Sequence, residues 1–146
     1  MKDKKFNFWQ KWLTYVNIMI VGIGLALAFA GNSFLFDIHN HYTREVFFGG
    51  LELPDNILQF KNWLFGIIGG TIVGFHLLVI MISENAFKQK EKWAYQAIWI
   101  ALLLWFIIDS SISVYTGAIH NVVIINIVAL ILIGLPLVMT RKAFQN

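Results

Sequence analysis

Four apolar runs separated by polar stretches organise this chain: residues 13–36, 63–82, 93–115 and 119–139. A hydrocarbon core about 30 Å thick is crossed by about 20 helical residues, so each run predicts a membrane-spanning segment. With no water in that core, the backbone must satisfy its own hydrogen bonds, which selects helices over open strands. The pattern predicts an all-α integral membrane protein, a four-helix transmembrane bundle forming a single domain over residues 1–146. Tryptophans sit near the run ends, with Trp9 and Trp12 before the first, Trp63 opening the second and Trp93 opening the third. That is where an amphipathic ring meets the headgroups. The long outer connection, 37–62, contains a Gly49-Gly50 turn, and Phe47 and Phe48 are expected to cover the outer end or dip into the interface. Pro54-Asp55 reads as a helix start, so the second helix is expected to begin outside the membrane.

Composition agrees with the pattern. Hydrophobic residues make up 58% and charged residues 13%, against about 45–50% and about 25% in soluble domains. The absence of cysteine excludes thiolate metal sites and disulfide chemistry within the chain. The charge is informative through its placement. Lys2, Lys4, Lys5, Lys11, Lys88, Lys90, Lys92, Arg141 and Lys142 lie in segments that share one side of a four-span protein, leaving Arg44 and Lys61 on the other. The positive-inside rule then puts both termini in the cytoplasm, and the expected location is a bacterial cytoplasmic membrane, multi-pass, N-in and C-in. The early lysines followed by an apolar run and Ala28-Phe29-Ala30 also have the form of a secretory signal. The run continues past that point to Phe36, which favours a retained span. No clustered basic, aromatic face exists for nucleic acid, so the lipid bilayer is the expected partner.

Small residues predict how the first two spans pack. Gly66, Gly70 and Gly74 recur every four residues, and Gly22, Ala26 and Ala30 offer a matching stripe on the first span. Such stripes let backbones approach closely. The expectation is an intramolecular seam between spans one and two; the rival use is a seam between copies or with a membrane-protein partner.

One carboxylate, Asp109, falls inside the third span. Ionisable groups in spans are costly, and they usually face the bundle interior. Ser113 is four residues on and Trp105 four back, on the same helical face. Asn126 and Asn32 fall in the same outer half, with His120 and Asn121 near the outer mouth. Asp109, Ser113, Asn126, Asn32 and Trp105 are the candidate ligand-binding set. The alternative is that Asp109 ties helices together by hydrogen bonds. His76 lies on the opposite half, where Asn17 is its expected partner.

Other chemistry is thinly supported. His39-x-His41 is a weak metal signal, since zinc wants three or four ligands; no metal site is expected. Haem needs axial histidines at matched depth, and His76 and His120 lie on opposite halves, so no cofactor is expected, although two copies of His76 could pair across a symmetric dimer. Asp109-Ser110-Ser111 lacks a histidine base at its depth, and no catalytic residue is assigned.

The stretches Phe47-Phe48-Gly49-Gly50, Leu53-Pro54, Phe60-Lys61-x-Trp63-x-Phe65-Gly66, Glu91-Lys92-Trp93-Ala94 and Trp105-Phe106-x-x-Asp109-x-x-Ile112-Ser113 resemble a group of uncharacterised small four-span bacterial membrane proteins. The resemblance covers nearly the whole chain. It implies a four-helix bundle of bacterial origin and carries no activity, cofactor or binding residue. Two functions are expected: a non-catalytic structural or accessory membrane subunit, or a binding or transport module for a small lipophilic or cationic ligand in an outer-half pocket around Asp109.

Overall fold

The computed structural model describes residues 2–145; Met1, Asn146 and the side chains of Lys2 and Asp3 lie outside the described residues, including the Lys2 side chain counted above for orientation. Helix α1 spans Lys2–Ala30, and a 3-10 turn at Phe34–Phe36 leads into α2, Asp37–Phe48. Helix α3 spans Asp55–Ile82 and continues as a π-helical turn, Ser83–Phe87. Helix α4 spans Lys92–Tyr115. The last helix, α5, opens at Ile119–Asn121, passes through a π-helical turn at Val122–Asn126, runs on over Ile127–Thr140 and closes in a 3-10 turn, Arg141–Phe144. Four of the helical stretches are long and apolar enough to cross a membrane: Lys4–Ala30, Asp55–Phe87, Lys92–Tyr115 and Ile119–Phe144.

The helix ends follow local chemistry. Helix α1 stops at Ala30 rather than at Phe36, because Gly31-Asn32-Ser33 is a poor helical stretch and the freed Gly31 carbonyl accepts from Asn40 Nδ2 at 2.9 Å. Pro54 starts α3 as expected, its carbonyl accepting from the amides of Ile57 and Leu58 at 2.9 Å each. Apolar run 63–82 is thus only part of a helix that begins eight residues earlier. Hydropathy reports the thickness of hydrocarbon matched, whereas the backbone ladder runs on into polar sequence. Segment 37–62 is mostly helical. Gly49, at φ +60°, ends α2 in the left-handed conformation that glycine adopts without strain.

Helices α1 and α3 form the closest pair, through a different face from the one expected. A Cβ on Gly69 would lie 2.5 Å from the Gly24 carbonyl oxygen and 2.8 Å from Ala28, and one on Gly24 would lie 2.8 Å from Ile72. The backbones touch at Gly24 and Gly69. At Gly22, Gly66, Gly70 and Gly74 a Cβ would meet nothing within 4 Å. Ala30 is likewise exposed, and Ala26 half-buried. Gly69 and Gly70 are neighbours in sequence, yet one residue turns a helix by about 100°, so the two glycine rows of α3 point in different directions.

The core is concentrated at one end. Phe6, Leu13 and Val16 of α1 pack with Val79, Ala86 and Phe87 of the α3 limb, Ala94, Ile98 and Leu102 of α4, and Ile133, Leu137 and Phe144 of α5. Phe144 is 4% exposed and lies 4.7 Å from the Tyr95 ring, 4.8 Å from Phe87 and 6.0 Å from Phe6. Elsewhere the helices present apolar side chains outward, among them Phe29, Ile107, Ile108 and Ile131, as a lipid-facing surface requires.

Pro136 sits inside α5. It has no amide hydrogen, so the Leu132 carbonyl four residues earlier loses its helical donor. Trp12 Nε1, on α1, donates to that oxygen at 3.1 Å. Trp12 therefore serves as an interhelical donor, in addition to any interfacial role.

Candidate functional site

The Asp109 carboxylate, within the apolar stretch of α4, is held by its own helix and by α5. Asp109 Oδ1 accepts from Asn121 Nδ2 at 2.7 Å, Asn126 Nδ2 at 2.8 Å and Ser113 Oγ at 3.3 Å. Asn121 Nδ2 also donates to Ser113 Oγ at 2.9 Å, and Asn126 Nδ2 to Ser110 Oγ at 3.0 Å. The π-helical turn explains how both asparagines reach one oxygen. Five residues in an α-helix rotate about 140° off register, whereas the i→i+5 bonding of a π turn brings such residues onto one face. Asn126 is fully buried, and its Oδ1 has no hydrogen-bond partner among the described residues.

Helix α2 continues the network outward. The His39 ring lies 5.2 Å from that of His120, with the Asn121 side chain close enough to influence its protonation. His120 Nε2 pairs with Thr43 Oγ1 at 3.2 Å, and its ring stacks on Tyr42 at 5.7 Å. Burial pushes the His39 pKa below its ordinary value; His120 and Lys61 push it the same way, and the Asn121 side chain opposes them.

Of the five candidate residues, the structure brings together Asp109, Ser113 and Asn126. Trp105 packs against the core, half-buried. Asn32 lies elsewhere, its Nδ2 donating to Asn62 Oδ1 at 2.7 Å, beside a cavity of about 220 Å³ lined by residues including Ala28, Gly31, Ser33 and Phe65. Asn121 and Ser110 take the places expected of Asn32 and Trp105. His76 meets its expected partner, Nδ1 donating to Asn17 Oδ1 at 2.6 Å.

A second polar cluster was not anticipated. At the other end of the α1–α3 seam, Glu84 Oε1 accepts from Thr14 Oγ1 at 2.7 Å and Gln10 Nε2 at 2.9 Å, and Thr14 and Ser83 hydroxyls meet at 3.0 Å. The signal was present: Gln10, Thr14 and Asn17 recur at the i, i+4, i+7 spacing of one helical face. Among the described residues, no group of three His, Asp or Glu side chains could hold a metal ion.

Comparisons with protein-family models, with curated proteins and with solved structures find no match to this chain.

Proposed function

We propose that this chain is a non-catalytic integral membrane protein, a structural or accessory subunit, set in a bacterial cytoplasmic membrane with both termini inside. The observation that carries the non-catalytic reading is the saturation of Asp109 Oδ1 by three donors from α4 and α5. An oxygen so occupied ties α4 and α5 together. The orientation rests on the placement of nine of the eleven basic residues on one side. The accessory reading is favoured by the open Gly66–Gly70–Gly74 row of α3, where a helix of another membrane protein, or of a second copy, can approach closely.

The test is Asp109→Asn, unfolded in detergent. Membrane side-chain hydrogen bonds average about 0.6 kcal/mol, with a maximum near 1.7, so a loss of about 1–2 kcal/mol is expected; an unchanged melting profile sinks the tie. Photo-crosslinking from position 70 in native membranes should yield protein adducts, and adducts to lipid alone would count against the accessory role.

A second reading rests on the unpartnered Asn126 Oδ1. A small cationic ligand beside Asp109 would satisfy it, making the outer half a binding or transport site. Cation binding abolished by Asp109→Asn with the fold intact would favour this reading over the first.

A further inference from the structure

The aromatic packing of Phe144 has a chemical result at the opposite end of the bundle from Asp109. Phe144 is clamped among Phe6, Phe87 and Tyr95, which holds the turn Arg141–Phe144 against the base of α4. Between this turn and the first turns of α4 lies a cavity of about 510 Å³, lined by Lys92, Tyr95, Gln96, Arg141, Phe144 and Gln145. Two cations and two amides face a floor made by the stacked rings of Tyr95 and Phe144.

Nothing acidic among the lining residues balances the cations. Neither Lys92 nor Arg141 has a carboxylate within ion-pair distance among the described residues, where the ion pair present joins Lys88 to Glu84. Glu91, one residue before α4, accepts from Trp93 Nε1 and does not line the cavity. The cavity also abuts the N-terminal turn of a 24-residue helix, whose free amides and dipole favour an anion. Trp93 and Ile100, both exposed on α4, continue from this level along the lipid-facing surface. The site therefore combines phosphate-binding groups with an adjoining apolar track.

We propose that this cavity binds the phosphate of an anionic phospholipid headgroup, with Lys92 and Arg141 as the charged contacts and Gln96 and Gln145 as neutral donors. Basic pockets between helix ends at this level of a membrane suit such headgroups. Arginine offers a planar fork and lysine a point charge for the phosphate oxygens.

The test uses the full chain in phosphatidylcholine nanodiscs containing a minor fraction of phosphatidylglycerol, read by native mass spectrometry of the released protein. Wild type should retain phosphatidylglycerol over phosphatidylcholine. Each surface cation changes affinity roughly fivefold, so Lys92→Gln with Arg141→Gln should weaken retention about twenty-five-fold. Lys142→Gln removes a cation outside the cavity lining and should retain the lipid, as should the charge-preserving Lys92→Arg. A separate arm adds inorganic phosphate to delipidated protein. A phosphate adduct abolished by the double variant, without lipid preference, supports the phosphate site and places its source in solution. Lipid retention that is equal in wild type and double variant, or absent together with any phosphate adduct, overturns the proposal.

Discussion

The Trp12–Leu132 contact across the Pro136 break can be tested as an interaction between α1 and α5. Trp12→Phe removes the indole donor and leaves the Leu132 oxygen, 3.1 Å away, without a partner in a segment whose own amide donor is already missing at Pro136. A hydrogen bond contributes about 0.5–1.5 kcal/mol net, and an orphaned buried acceptor costs about 1–3 kcal/mol; membrane values cluster near the low end. Trp12→Phe should therefore destabilise by about 1–2 kcal/mol, part of it from lost ring volume. Pro136→Ala restores an amide hydrogen in line with Leu132 O and supplies the missing donor from within α5. In that background the carbonyl no longer depends on Trp12, while the packing loss persists. The double-mutant cycle cancels the packing contributions and isolates the bond. The expected coupling is about 1 kcal/mol, with Trp12→Phe less costly in the Pro136→Ala protein. Reversible unfolding in bicelles or mixed micelles measures all four corners. An equal cost of Trp12→Phe in both backgrounds, within about 0.3 kcal/mol, would refute the argument that the tryptophan compensates for the proline.

Other outcomes follow from the same structure. Gly69→Ala places a methyl 2.5 Å from the Gly24 backbone oxygen and should cost about 1–3 kcal/mol through overpacking. Gly70→Ala meets nothing within 4 Å and should leave monomer stability unchanged; melting curves of the two variants check the seam assignment. The His39 pKa is lowered in the folded chain from its ordinary value of 6.5, so below that value the unfolded chain binds more protons than the folded one. The stability contributed by neutral His39 is complete above about pH 6.5 and falls as the pH drops through it; melting temperature between pH 7.5 and 5.5 should decline less in His39→Gln, and parallel declines would count against this. Asn121→Leu removes two donations within the Asp109 cluster and the His39 contact, and should destabilise by about 1–2 kcal/mol; a thermal scan indistinguishable from wild type would show the cluster to be unimportant for stability.

The four long apolar helices were legible because run length and hydropathy can be read directly from the residues. Third span 93–115 differs from α4 by one residue. The Pro54 start of α3 was readable because proline fixes φ and cannot donate. The Asn17–His76 pair followed from shared depth. The glycine seam was missed because periodicity identifies a row of small residues without saying which of two adjacent rows is covered. The Asp109 cluster was half-legible. Ser113 and Asn126 follow from helical spacing and depth, but the convergence of Asn121 with Asn126 depends on the π turn, and no residue pattern in Val122–Asn126 announces it. Asn32 was assigned by depth alone, and depth does not specify azimuth around the bundle; it faces Asn62 instead. Trp12 was readable as an interfacial ring, whereas its bond to Leu132 required the relative position of two helices distant in sequence.

The joining of Phe6, Phe87, Tyr95 and Phe144 in one aromatic cluster bears on how the protein is made. During synthesis the first three of these rings are made before the fourth exists. Until Phe144 emerges, Phe6 and Phe87 have each other, at 5.9 Å, but no closing partner, and Leu137 and Ile133 are absent from the core they complete. The α1–α3 seam can close without α5, yet the core shared by all four long helices is completed only when α5 is in place. A chain arrested before that point would carry its α1–α3 seam but an open core at the end where Phe6 and Phe87 sit.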